Sequence, residues 1–323
     1  MTTAFVTGGS GFIGGRLVQR LVADGVRVRA LARSDGSAAA VEALGAEAVR
    51  GDLSDVDAMT AGARGCDTAY HLAAHVEQSG PWEDFVRDNV TGTENVLAAT
   101  RSAGVTRFVH CGTEAALIAG DPLVSVDETA PLRPDAPAPY PSTKARAEQA
   151  VRDANGDGFE TVVVRPRFVW GAGDTTLLPA MVEMVRSGKF AWIGGGKQLT
   201  DITHVDNVVE GLVLAARNGR GGEVYFVTDG EPVQFREFVS ALLETQGVEA
   251  PSRSIPTWVA GPLAATCEAA WRALPLPGQP PLTRFTYWIS SQECTIDIGK
   301  ARRELGYQPI KGREDGLAEL RAG

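Results

Sequence analysis

Cysteine, histidine and unbroken apolar runs are all scarce in this chain. Its cysteines, Cys66, Cys111, Cys267 and Cys294, stand far apart, with neither C-x-x-C spacing nor a histidine-rich neighbourhood. That spacing argues against a disulfide framework or a zinc site and is expected of buried free thiols in a reducing compartment. His71, His75, His110 and His204 are scattered and share no local carboxylate pair, so no metal is expected. The apolar stretch 255–274 is broken by Pro256, Gly261, Pro262, Glu268 and Arg272. A membrane-spanning run of about 20 residues is therefore missing. Positive charge is in deficit, with 31 Lys and Arg against 40 Asp and Glu and a net charge of −9. Nucleic-acid partners want the opposite sign. The chain opens straight into a strand-like run without a secretory segment, and a cytoplasmic location is expected.

What is present begins within the first fourteen residues. Ala4-Phe5-Val6 is a short apolar run of buried-strand type, followed at once by Thr7-Gly8-Gly9-Ser10-Gly11-Phe12-Ile13-Gly14. Residues 16–22 then read as an amphipathic helix. Glycines at 8, 11 and 14 permit a tight turn, close backbone approach to a pyrophosphate, and close helix–strand packing. The helix start offers free N–H groups to phosphates. Glycines 9, 11 and 14 also satisfy G-x-G-x-x-G, which between a strand and a helix points to dinucleotide binding.

Strand-like runs at 26–32, 47–50, 68–72, 107–111, 161–164 and 224–227 alternate with helical patterns, notably 85–103, 142–154 and 207–216. This alternation predicts an α/β fold, a Rossmann-type doubly wound parallel sheet with ligands at its switch point. Hydrophobic content of 44% with 22% charged residues is ordinary for a soluble globular protein. The Pro-rich stretches 131–141 and 274–281 read as loops.

Tyr140-Pro141-Ser142-Thr143-Lys144 places a phenol one helical turn before an ammonium, and residues four apart share a helix face. A lysine so placed is expected to favour the phenolate and lower the tyrosine pKa. Such a tyrosine can exchange a proton with a substrate oxygen.

The glycine segment and the Tyr140–Lys144 pair together resemble the extended branch of the short-chain dehydrogenase/reductase superfamily. Similarity continues through Gly51-Asp52-Leu53, residues 70–74, Asn89-Val90-Thr91-Gly92-Thr93, Val164-Arg165-Pro166, His204-Val205-Asp206-Asn207 and the closing stretch 300–309. The 3β-hydroxysteroid dehydrogenase-like and dihydroflavonol reductase-like groups are nearest in character. The resemblance implies that Thr113 orients the reacting oxygen, Tyr140 exchanges its proton, and Lys144 supports Tyr140 while bonding the nicotinamide ribose. A plainer role for Thr113 is to cap the segment after it. The cofactor-binding set implied is Gly8, Ser10, Gly11, Phe12, Ile13, Arg33, Asp52, Leu53, Leu72, Ala73, Ala74, Tyr140, Lys144, Pro166 and Val169. Residues 1–170 plus 203–229 are expected to form the dinucleotide-binding domain. Residues 171–202 plus 230–323 are expected to form a smaller lobe over the nicotinamide end. Trp192, Trp258, Trp271 and Trp288 fall there, mostly as core. A homodimer follows only by analogy.

Cofactor choice turns on the end of the second strand. Ala32 occupies the place where an NAD-preferring enzyme has an acid, and Arg33 follows, suited to pairing with a 2′-phosphate. NADP is favoured over NAD, with Asp35 as the competing ribose acceptor. Three functions remain. The first is oxidoreduction of a ketone or secondary alcohol on a bulky apolar small-molecule substrate. The second is nucleotide-sugar epimerisation or dehydration, for which Glu114 speaks; Ala115, where dehydratases carry a second acid, speaks against it. The third, a non-catalytic nucleotide sensor, would require degraded catalytic positions. Cys111, near the expected centre, is the remaining candidate nucleophile. Gly194-Gly195-Gly196-Lys197 lacks the spacing of a phosphate loop.

Overall fold

In the computed structural model, residues 2–77, 80–274, 278 and 280–322 are described. Seven parallel strands form the main sheet, in the order Val224–Val227, Glu160–Pro166, Arg107–Cys111, Thr68–His71, Thr3–Thr7, Arg27–Ala32, Glu47–Arg50. Chain order runs outward on both sides of the Thr3–Thr7 and Thr68–His71 neighbours, the predicted switch point. Helices cover the sheet on both sides and bury most of its strands on both faces, which is why these read as apolar runs, while the edge strand Glu47–Arg50 stays partly exposed. One core layer joins Leu17, Val18 and Leu21 to Val208, Leu212 and Tyr225. The other joins Met59, Val96 and Leu97 to Phe5, Phe108 and Phe159.

Several boundaries differ from expectation for local reasons. The helical stretch expected at 85–103 is a helix at Trp82–Phe85, a wider π-turn at Val86–Thr91 and a helix at Gly92–Ser102. The helix bearing Tyr140 runs Pro139–Asp153, so the expected 131–141 loop ends early. Pro139 and Pro141 occupy a first turn, where a missing N–H costs nothing.

Beyond the main sheet, Val233–Gln234, Leu199–Thr200, Cys294–Ile296 and Leu123–Val126 build a four-stranded sheet. Leu123–Val126 lies between the strands of the main sheet in sequence, yet pairs with the far C-terminal segment. Ile298, Ala301, Leu305 and Tyr307 pack into the core of the main sheet. A third cluster gathers Trp170, Trp192, Phe235 and Phe238. Of the tryptophans expected as lobe core, Trp192 and Trp288 are buried, Trp271 is half-buried and Trp258 is 79% exposed. The loop expected at 274–281 lies partly outside the described residues. Among those described, no helix is long and apolar enough to cross a membrane.

Candidate active site

A cleft of about 820 Å³ opens over the C-terminal ends of the central strands. Every residue of the expected catalytic and cofactor-binding sets lines it.

At one end the wall is main chain. Gly8 has φ +74, and a Cβ there would lie 2.6 Å from the Ala73 nitrogen. At Gly14 a Cβ would lie 2.0 Å from the Gly8 carbonyl oxygen, so the helix Phe12–Ala23 packs directly on the turn. Gly11, the N-cap, has no side chain to cap with, and the first-turn N–H groups are left for an anion. This cradle, which one methyl group would fill, fits a dinucleotide pyrophosphate. Beneath it Thr7 and His71 Nδ1 are 2.7 Å apart, and His71 Nε2 lies 2.9 Å from the Thr93 hydroxyl. Burial, helped by the Lys144 charge, pulls His71 down to about 3, so it stays neutral.

Further along, Asp52 accepts from the Ser54 N–H and hydroxyl, which lower its pKa. Arg33 is exposed and lines the cleft near Ser37. Asp35 points elsewhere and pairs with Arg50. Ala32, by contrast, is buried.

At the other end the wall is side chains. Thr113, at the end of the strand Arg107–Cys111, lies in the cleft with Tyr140 and Lys144. It also caps the turn Glu114–Leu117 by accepting from the Ala115 N–H at 3.2 Å, so capping and cleft placement coexist. The expected effect of Lys144 on Tyr140 is not what the structure shows. Burial, then the Glu114 and Cys111 charges, push the Tyr140 phenol above its ordinary range, while a hydrogen bond with Thr113 pulls it down. Lys144 instead donates to the Cys111 carbonyl at 3.2 Å, and burial lowers its own pKa. Sharing a helix face was enough to bring both residues to the cleft, but desolvation is the largest influence on each. Burial also pushes Cys111 up to about 11, which makes its thiol a poor nucleophile.

Four participants were not among the expected site residues, although Asn89 stood in a stretch that carried the resemblance. Asn89, in the π-turn, donates to Thr143 and to the His75 carbonyl, tying the helix Pro139–Asp153 to the loop after Thr68–His71. Arg167 is 2% exposed and pairs with Glu114 at 2.5 Å. Phe168 has φ +40, unusual for a bulky residue, and packs edge-on against Phe235 and Phe238. Phe285 stacks 5.5 Å from the Tyr140 ring. The second arginine of Arg165-Pro166-Arg167 was a visible signal; Phe285 gave none.

The histidines do not all stay apart from acids. His204, Asp206 and Glu319 converge within 4.8 Å. Asp206 also pairs with Arg16, and Glu319 with Lys311. His204 Nδ1 accepts from the Asp206 N–H, and Glu319, on the C-terminal helix Arg313–Ala322, approaches His204 Nε2 to 3.9 Å.

Residues 5–257 match the 3-beta hydroxysteroid dehydrogenase/isomerase family. A 4-hydroxy-2-methyl-3-oxo-4-farnesyl-3,4-dihydroquinoline-1-oxide ketoreductase of Stigmatella aurantiaca is 49% identical, over 98% of this chain and 95% of that protein. A 2-alkyl-3-oxoalkanoate reductase of Stenotrophomonas maltophilia is 37% identical over 98% of both. Among solved structures, a dTDP-glucose 4,6-dehydratase of Streptomyces venezuelae with NAD bound is 26% identical, with a TM-score of 0.77 over 99% of this chain and 96% of that one.

Proposed function

The chain belongs to the 3-beta hydroxysteroid dehydrogenase/isomerase family, and from that premise we propose a ketoreductase with Tyr140 as its proton donor, acting on a bulky apolar ketone. It is a nicotinamide-dependent oxidoreductase of the keto/hydroxyl type, like its relatives. The observation that carries the finer reading is the convergence of Thr113, Tyr140 and Lys144 in one cleft with the glycine cradle. Bound there, the dinucleotide supplies or accepts the hydride. Tyr140 gives its proton to the substrate oxygen; its raised pKa keeps it protonated and ready to donate. Lys144 holds the positive charge beside it. Phe168, Leu177 and Phe285 supply apolar wall, as small-ligand sites do around a few polar groups.

NADP is the preferred cofactor in this reading. Arg33 faces the cleft, Ala32 leaves no acid to repel a 2′-phosphate, and Asp35 is engaged by Arg50. A protein found in the cytoplasm as a homodimer completes the proposal.

The dehydratase-like neighbour keeps a nucleotide-sugar reading alive, and the setting of Glu114 speaks against it. Its carboxylate is 4% exposed and held by Arg167 and Thr113, so it is not free to expel water from a sugar. The test is stoichiometry: one NADPH is oxidised for each apolar ketone reduced. Repeated conversion of a nucleotide sugar with no net change in nicotinamide absorbance would overturn the reading.

A further inference from the structure

A helix on the surface of a globular protein turns its apolar side inward and its charges outward. The helix Thr257–Ala273 does the reverse over most of its length. From Thr257 to Cys267 it carries no charged residue. Among its described residues only the small Ala260 and Ala264 are buried. Glu268 turns inward, its carboxylate taking the Arg284 backbone N–H at 2.7 Å and the Arg284 guanidinium at 2.6 Å. Thr266 spends its hydroxyl on the Pro262 carbonyl. What faces outward is Trp258, Pro262, Ala265 and Ala269, one helix face by their spacing, with Leu263 beside them. Trp258 is the most exposed large apolar side chain of those described. An apolar face of this kind marks an association site.

Cations surround the start of the same helix. Thr257 lies against Gly194, the Gly195 N–H donates to the Ser254 hydroxyl, and the Trp192 N–H donates to the Arg253 carbonyl. Lys197 and Arg253 are exposed there, and Arg236 sets its guanidinium 5.3 Å from the centre of the Trp192 ring. None of the three pairs with a carboxylate among the described residues. In a chain of net charge −9, an apolar face bordered by unpaired cations is a local inversion.

We propose that this face rests on an anionic lipid bilayer, with Trp258 at the headgroup level and Lys197, Arg236 and Arg253 against the lipid phosphates. A tryptophan ring favours that depth, and anionic headgroups attract basic side chains close to the surface. The overall negative charge repels such a surface, so attachment needs the apolar seat and the cations together and stays reversible. A second copy of this chain fits less well, because a two-fold contact through Trp258 would bring the two cation clusters together. The helix Arg284–Ser291, on which this one packs, carries Phe285 in the cleft wall. On the ketoreductase reading, an apolar ketone dissolved in that bilayer therefore starts one helix away from the cleft.

The experiment sediments the full chain with vesicles at low ionic strength. One set is phosphatidylcholine and phosphatidylglycerol in equal parts; the other is phosphatidylcholine alone. The chain pellets with the mixed vesicles, pellets much less with phosphatidylcholine, and is released by salt. Lys197→Ala and Arg253→Ala each weaken partitioning by about fivefold. Trp258→Ala weakens it by about tenfold, as loss of a partly buried ring should, and keeps its unfolding midpoint. No pelleting with the mixed vesicles, equal pelleting with both sets, or a Trp258→Ala chain that binds like the unmodified one overturns the proposal. Self-association in lipid-free buffer that Trp258→Ala abolishes also overturns it, and assigns the face to a second copy. The readout is binding alone, so a failure of the ketoreductase reading, seen as unchanged turnover in Tyr140→Phe, leaves this result standing.

Discussion

The two ends of the cleft are built from different material. Around Gly8, Gly11 and Gly14 the wall is backbone, closed so tightly that a single Cβ at Gly14 would sit on a carbonyl oxygen. Around Thr113 and Tyr140 it is side chain: Glu114, Arg167, Phe168 and Phe285, drawn from the segment after Arg107–Cys111, the segment after Glu160–Pro166 and the helix Arg284–Ser291. A backbone wall serves a ligand part that never changes, because it reads only shape and phosphate charge. A side-chain wall is open to replacement one residue at a time, and selectivity for the reacting molecule belongs there.

The comparison breaks most sharply at Tyr140. Replacing it with Phe should lower turnover by about 10²- to 10⁴-fold, the range of general acid–base catalysis, while the cofactor dissociation constant barely moves. Near-normal turnover in that variant would take Tyr140 out of the chemistry. At the backbone end, Arg33→Ala should weaken NADP by about 1.5–3 kcal/mol, the worth of a charge-assisted hydrogen bond, with little effect on NAD. Titrating both cofactors checks this, and equal loss for the two would defeat the proposed 2′-phosphate role. Gly14→Ala should cost about 1–3 kcal/mol of stability through overpacking, and cofactor affinity should fall with it while substrate preference stays put. Thermal unfolding and kcat/KM ratios measure the two halves of that statement. Smallest of all, Trp258→Ala on the exposed rim should change stability by less than about 0.5 kcal/mol. A larger loss in unfolding midpoint would show that the rim helix Thr257–Ala273 packs more than its exposure suggests.

The backbone end was the more legible in sequence, and the cause is physical. Glycine positions in a strand–turn–helix are dictated by geometry within fourteen residues, so a local reading reaches them. The strands Glu47–Arg50, Arg107–Cys111 and Val224–Val227 fall where their apolar runs placed them for the same reason. Arg167 and Phe285 reach the site through contacts spanning tens to hundreds of positions, and nothing near Phe285 in the chain announces it. The Tyr140 pKa went astray similarly: helical spacing gives the neighbour, whereas burial depends on the whole fold. The His204–Glu319 approach could not have been seen for the same reason.

The strand order also carries a timetable. Thr3–Thr7 emerges first from the ribosome and ends at the centre of the sheet, and most later strands add outward until Val224–Val227 closes one edge. Synthesis proceeds at about 5–20 residues per second, and domains tend to form as their residues emerge. Leu199–Thr200, however, waits for Val233–Gln234 and then for Cys294–Ile296 before its small sheet is complete. During that interval Trp170, Trp192 and their apolar neighbours lack the helix Phe235–Thr245 that later buries them. The nascent chain thus passes through a stage in which all seven strands of the main sheet are out but its aromatic flank is uncovered, and Ile298, Ala301, Leu305 and Tyr307 have yet to complete its core.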